Sequence, residues 1–112
     1  MRDDKAYIQD MVEAIARIEK YTKGINKQNF LKRSMVSDAV VRNLEIMGEA
    51  SKRMSSETKN KHLSIEWKKI IGLRDILTHA YFGIDLDIIW DIVINKLPQF
   101  KGDLEKIKKG DR

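Results

Sequence analysis

Apolar residues recur along this chain at intervals of three and four, the spacing that puts them on one face of a helix. Ile8, Met11, Val12, Ile15 and Ile18 make the first such face, and "TKGINKQ" ends that helix around Gly24. Phe30 and Leu31 are expected to anchor the crossing into a longer second helix, roughly residues 34–55, whose stripe is Val36, Val40, Leu44, Met47 and Met54. Asn43 and Ser51 interrupt that stripe and are expected to face a partner group or a cleft. "SSETKNKH" reads as the loop that follows. Ser64 suits the N-cap of a third helix carrying Trp67, Ile70, Ile71, Leu73 and Leu77. Gly83 can take the left-handed position after it, and Asp85 can cap a fourth helix beginning "LDIIWDIVINKL".

The fourth helix is apolar around most of its circumference, with Asp87, Asp91 and Asn95 as a narrow polar stripe. Such a helix must be covered on more than one side, either at the centre of a bundle or at a subunit interface. Pro98 is expected to kink or restart it, and the tail "KGDLEKIKKGDR" to fray. With one proline, six glycines and no repeats or linkers, the chain reads as all-α, a single helical domain over residues 1–112.

Composition narrows the function classes. A chain of 112 residues can hold one core but not two. No apolar run approaches the roughly 18 residues of a membrane span, and the N-terminus has no apolar stretch of secretory type. The expectation is a cytoplasmic protein without membrane contact. The absence of cysteine excludes disulfides, thiolate chemistry and sulfur-ligated metals. Charge is uneven: residues 52–74 carry seven Lys/Arg against two acids, which equals the whole net charge of +5. A field concentrated in this way suits a polyanionic partner, although a solvated lysine-rich turn has the same composition.

That basic segment leads into "RDILTHAYFG", residues 74–83, where an arginine, an aspartate, a histidine and a tyrosine sit in a helix otherwise built for burial. Burying such groups unpaired costs several kcal/mol, so their presence asks for a use. Arg74 and Tyr81 are seven residues apart and nearly on one face, whereas His79 is turned from Arg74 by about 140°. One straight helix cannot aim both at a small target, but two copies about a two-fold axis can. Asp75, four residues before His79, can fix the imidazole tautomer.

RNA cleavage fits these groups because the 2′-hydroxyl is its own nucleophile. The protein must then move protons at that oxygen and at the leaving 5′-oxygen, and stabilise charge on the phosphorus between them. His79 is the candidate general base or acid, a role worth about 10²–10⁴-fold, and Arg74 the candidate phosphate clamp. Lys68 and Lys69 are candidate contacts to RNA phosphates. The competing structural readings are a hydrogen-bonded histidine, an arginine paired with an acid across the bundle, and a core tyrosine with its hydroxyl at the surface. A metal site has little support, since Asp75 and His79 supply two ligands at most and His62 belongs to another segment. No cofactor is called for.

The blocks "VRNLEIMGEASKRM", Trp67, "GLRDILTHAYFGIDLDIIW" and "LP" resemble the HepT-like branch of the HEPN superfamily, over residues 5–107. The motif of that branch, Arg, four residues, His, one residue, Tyr, is intact as Arg74, His79 and Tyr81. The resemblance implies a four-to-five-helix up-and-down bundle that forms a homodimer with the motif in the interface cleft. It also implies a metal-independent endoribonuclease toxin with Arg74 and His79 catalytic. A minimal nucleotidyltransferase would be its antitoxin, neutralising it by AMP transfer to Tyr81. The alternative is a non-catalytic helical module that binds and regulates a nucleotidyltransferase, or binds a nucleotide.

Overall fold

The computed structural model describes residues 3–79 and 85–110, the side chains of Arg74, Ile76, Thr78 and His79 excepted. The described residues are helical and contain no strand. Helix α1 (Asp4–Thr22) starts where the Asp3 carboxylate accepts the Ala6 N–H, and it buries Ile8, Met11, Ala14, Ile15 and Ile18. It ends at Gly24, whose φ of 73° lies in the left-handed region that a side chain would strain. A short helix α2 (Lys27–Lys32), capped by Asn26, buries Phe30 completely but leaves Leu31 40% exposed, so Phe30 alone is the anchor of the crossing.

Helix α3 (Ser34–Arg53) is the centre of the molecule. Helix α1 packs along it on one side, and helix α5 (Trp67–His79) packs along it on another. Val40, Leu44 and Met47 are fully enclosed, each contributing about 1.5–3 kcal/mol of burial. The two polar interruptions find partners inside the chain rather than a cleft. Asn43 Oδ1 accepts from Arg17 Nε at 2.9 Å while its Nδ2 donates to the Ala39 carbonyl at 2.8 Å. The Ser51 hydroxyl donates to Met11 Sδ at 3.1 Å. Both bonds tie α1 to α3 in a fixed register, because a buried polar group is cheap only where it is bonded.

Three local expectations are corrected. The stretch after α3 is not a plain loop but contains helix α4 (Ser56–Lys61), nucleated by Ser55, whose Oγ accepts the Thr58 N–H at 3.2 Å. Ser64 does not cap α5, because Ile65 and Trp67 are both buried and the Trp67 indole donates to the His62 carbonyl at 3.1 Å. The turn is thereby held to the core, and α5 begins after it, with the Glu66 carbonyl accepting the N–H groups of Lys69 and Ile70.

The third correction concerns the fourth predicted helix. Asp85 caps helix α6 (Leu86–Asp91) by accepting from the backbone N–H groups of Asp87 and Ile88, as expected. A π-helical turn, Ile92–Lys96, then joins α6 to helix α7 (Leu97–Gly110). The Leu97 N–H reaches the Ile92 carbonyl, five residues back, and this wider turn accommodates Pro98 without ending the helix. The lysine-rich tail does not fray: Phe100, Leu104 and Ile107 lie at helical spacing and are buried, with α7 packed against α1. Lys101 reaches Glu19 at 3.1 Å and Lys108 reaches Gln9 at 3.1 Å along the same seam. The Gly83 expectation falls outside the described residues.

Asp4 joins the start of α1 to the start of α4. Its carboxylate accepts the Ser55 N–H at 2.9 Å together with the hydroxyls of Ser55 and Thr58. Partial burial pushes the Asp4 pKa up, but these hydrogen bonds and the charge of Lys59 outweigh it and hold the group below its ordinary value of 3.8. A depressed carboxylate stabilises the fold fully above its unfolded value and loses that contribution as the pH falls through the folded one. Asp4→Ala is therefore expected to cost about 1–2 kcal/mol at neutral pH. Urea titrations of parent and variant should show the difference shrinking below pH 3.8. An equal difference at neutral and strongly acidic pH would remove the carboxylate from the account.

Candidate active site on the fifth helix

The rotation of α5 is set by what it buries. Trp67 and Leu77 face the core, and Ile70 and Leu73 are packed against it. Trp67 also meets Phe100 of α7 edge-on, with ring centroids 6.2 Å apart, so the helix is gripped from α7 as well as from α3. Within that frame Arg74 lies one turn beyond Ile70, and His79 is the last residue of the helix. Their backbone positions are separated by about 7.5 Å along the axis and about 140° around it. A single copy of α5 therefore holds them on different faces, as the spacing required. Asp75, between them in sequence, is exposed. Tyr81 falls outside the described residues.

Lys68 and Lys69 are both exposed but are not equivalent. Lys69 Nζ lies 2.6 Å from Glu66 Oε2, and its hydrogen bond and charge, with a smaller contribution from Lys96, hold the Glu66 carboxyl below the usual range. Among the described residues Lys68 makes no ion pair. The rest of the basic segment divides in the same way: Arg53 pairs with Glu49 at 2.8 Å and Lys61 with Glu57 at 3.4 Å. Exposed pairs of this kind are worth about 0–1 kcal/mol, so a phosphate can compete for these cations at little cost.

Lys96 was not among the residues that the sequence singled out. It stands on the π-helical turn, 30 positions beyond Glu66 in the chain, and no local spacing signals the proximity that α7 creates. His62 lies before α5, where its carbonyl serves Trp67, and its Nε2 is buried without a hydrogen-bond partner. It does not join Asp75 and His79 in sequence or on the motif helix.

The chain is similar to known proteins over nearly its whole length. The sequence pattern of the family described as ribonuclease HepT-like matches residues 11–107. A protein of Thermococcus cleftensis named "Probable ribonuclease HepT" is 42% identical over 108 residues, spanning 96% of this chain and 98% of that protein. A Methanocaldococcus jannaschii protein named "Putative RNase" is 39% identical over 104 residues, 93% of this chain and 95% of its own length. A third, of the same description, from Caldanaerobacter subterraneus subsp. tengcongensis, is 32% identical over 112 residues and the full length of both chains. No solved structure matches the chain at a significant level. No described helix is long and apolar enough to cross a membrane.

Proposed function

Because the chain belongs to the ribonuclease HepT-like family, we propose that it is a metal-independent endoribonuclease, with residues 1–112 acting as one helical domain in the cytoplasm. The observation that carries the reading is the intact Arg74, His79, Tyr81 motif on a chain that matches the family over nearly its whole length. In this reading the RNA 2′-oxygen attacks the adjacent phosphorus and the bond to the 5′-oxygen breaks. His79 takes the proton from the 2′-hydroxyl or returns one to the leaving oxygen, with Asp75 holding its tautomer. Arg74 binds two phosphate oxygens and stabilises the charge that grows on them. Lys68 and, once released from Glu66, Lys69 hold flanking phosphates.

The purified protein should cut single-stranded RNA in the presence of EDTA and leave 2′,3′-cyclic phosphate ends. His79→Ala or Arg74→Ala should slow cutting by about 10²-fold or more with the helical circular dichroism unchanged. Loss of cutting in EDTA, or a His79→Ala protein as fast as the parent, would refute the mechanism. A parent that never cuts RNA yet binds a nucleotidyltransferase would instead favour a regulatory helical module.

The separation of Arg74 and His79 on one helix calls for a second copy to complete the site. Two exposed apolar side chains on the α6 to α7 segment support a homodimer: Ile88 is 57% exposed and Ile94 49% exposed. Light scattering at micromolar concentration should give twice the chain mass of 13.1 kDa. Ile88→Lys together with Ile94→Lys should shift it toward the single-chain mass and reduce cutting in parallel. A monomeric parent that still cuts would overturn the two-copy site.

In the same reading the chain is the toxin of a toxin–antitoxin pair, and a minimal nucleotidyltransferase silences it by transferring AMP to the Tyr81 hydroxyl. The tyrosyl oxygen attacks the α-phosphorus of ATP, and pyrophosphate leaves. The added phosphodiester brings negative charge that can occupy Arg74 and bulk that obstructs the RNA. With ATP and magnesium, the partner enzyme should add AMP mass to the peptide that contains Tyr81, and cutting should stop. Tyr81→Phe should retain most activity and escape silencing. AMP found on another residue, with Tyr81→Phe still silenced, would refute the assignment.

A further inference from the structure

Two helical stripes face one another across a pocket of about 220 Å³ beside the motif helix. Residues 64, 65 and 66 come from the turn before α5, residues 69, 70 and 73 from α5, and residues 92, 96, 99, 100 and 103 from the π-helical turn and α7. Ile65, Ile70, Leu73, Ile92 and Phe100 give it an apolar interior. Around the opening stand Glu66, Gln99 and Asp103 as acceptors and Lys69 and Lys96 as cations. Along the helix axis Ile70 and Leu73 lie about 6 Å and about 1.5 Å from Arg74, so the pocket adjoins the arginine's turn.

We propose that this pocket is a nucleobase subsite, which takes one unstacked base of the RNA strand next to the cleaved bond and favours a base with an exocyclic amino group. The inference rests on the ribonuclease reading and names how that site selects its substrate. A base is flat and apolar on both faces, which suits the aliphatic walls and the Phe100 ring, and it is polar at its edge, where the rim supplies partners. An acyl chain or an apolar side chain in the same place would strip water from Glu66, Asp103 and Gln99 and return no hydrogen bonds. Both carboxylates accept only, so an amino-bearing edge is preferred over that of uracil. Lys69 and Lys96, on opposite walls, are placed to neutralise the phosphates on either side of the bound nucleotide. Ile92 and Lys96 stand on the π-helical turn, a local irregularity of the kind that often marks a binding site.

The test is a methyl NMR titration of the full chain with AMP, GMP, CMP and UMP, read beside cleavage of RNAs that vary at each position around the cut. The methyl groups of Ile70, Leu73 and Ile92 should shift with at least one amino-bearing nucleotide and least with UMP. The base that binds best should be the one preferred beside the cut. Gln99→Trp, a change at an exposed position that fills the pocket, should weaken nucleotide binding by about tenfold and erase the base preference while cutting continues. Glu66→Gln, which cannot unfold a buried element, should reduce the discrimination against UMP. Cutting by the parent with no methyl shift for any nucleotide would overturn the base site alone. Methyl shifts from a parent that does not cut RNA would overturn the ribonuclease reading and leave the base site standing. Equal response to UMP, or an unchanged preference in Gln99→Trp, would overturn the assignment of this pocket.

Discussion

The burial of α3 between α1 and α5 is the constraint from which the rest follows. Val40, Leu44 and Met47 have no exposed side, so both neighbours must present complementary apolar faces at a fixed rotation. For α1 the rotation is fixed further by Arg17 on Asn43 and by Ser51 on Met11, where a slip of one residue would leave buried polar atoms without partners. For α5 it is fixed by Trp67 and Leu77. Arg74 and His79 inherit their positions from that packing, not from any interaction of their own backbone. The backbone of the motif helix is thus placed by core packing on two sides.

The charges follow a different logic. Much of the basic segment is locally paired, through Lys69 with Glu66, Lys61 with Glu57 and Arg53 with Glu49, all at exposed positions. Such pairs hold the fold weakly but keep like charges apart on the surface until a stronger anion displaces them.

The π-helical turn connects these two themes. By adding one residue to the turn it carries the chain past Pro98 and lets α7 return along α1, where Leu104 and Ile107 close the core. The return also brings Lys96, Gln99 and Asp103 opposite the first turns of α5.

The sequence by itself determined the helices and the chemistry they carry. Spacing of three and four located α1, α3 and α5 and most of their buried residues, because a long amphipathic face is a local property of the chain. Asp85 was legible as a cap for the same reason, and Arg74, Asp75, His79 and Tyr81 were legible as a motif because their types and spacing lie within eight residues. The tail was misread because the apolar Phe100, Leu104 and Ile107 are sparse among lysines, and their burial is made worthwhile only by segments distant in sequence, α1 and, for Phe100, Trp67 of α5. Ser64 was misread because a good capping side chain could not outweigh the burial of Ile65 and Trp67. The partners of Asn43 and Ser51, the nearness of Lys96 to Glu66 and the pocket were decided by tertiary structure alone. Each depends on two segments meeting, and whether they meet is settled by the summed burial of a whole face rather than by the residues that come into contact.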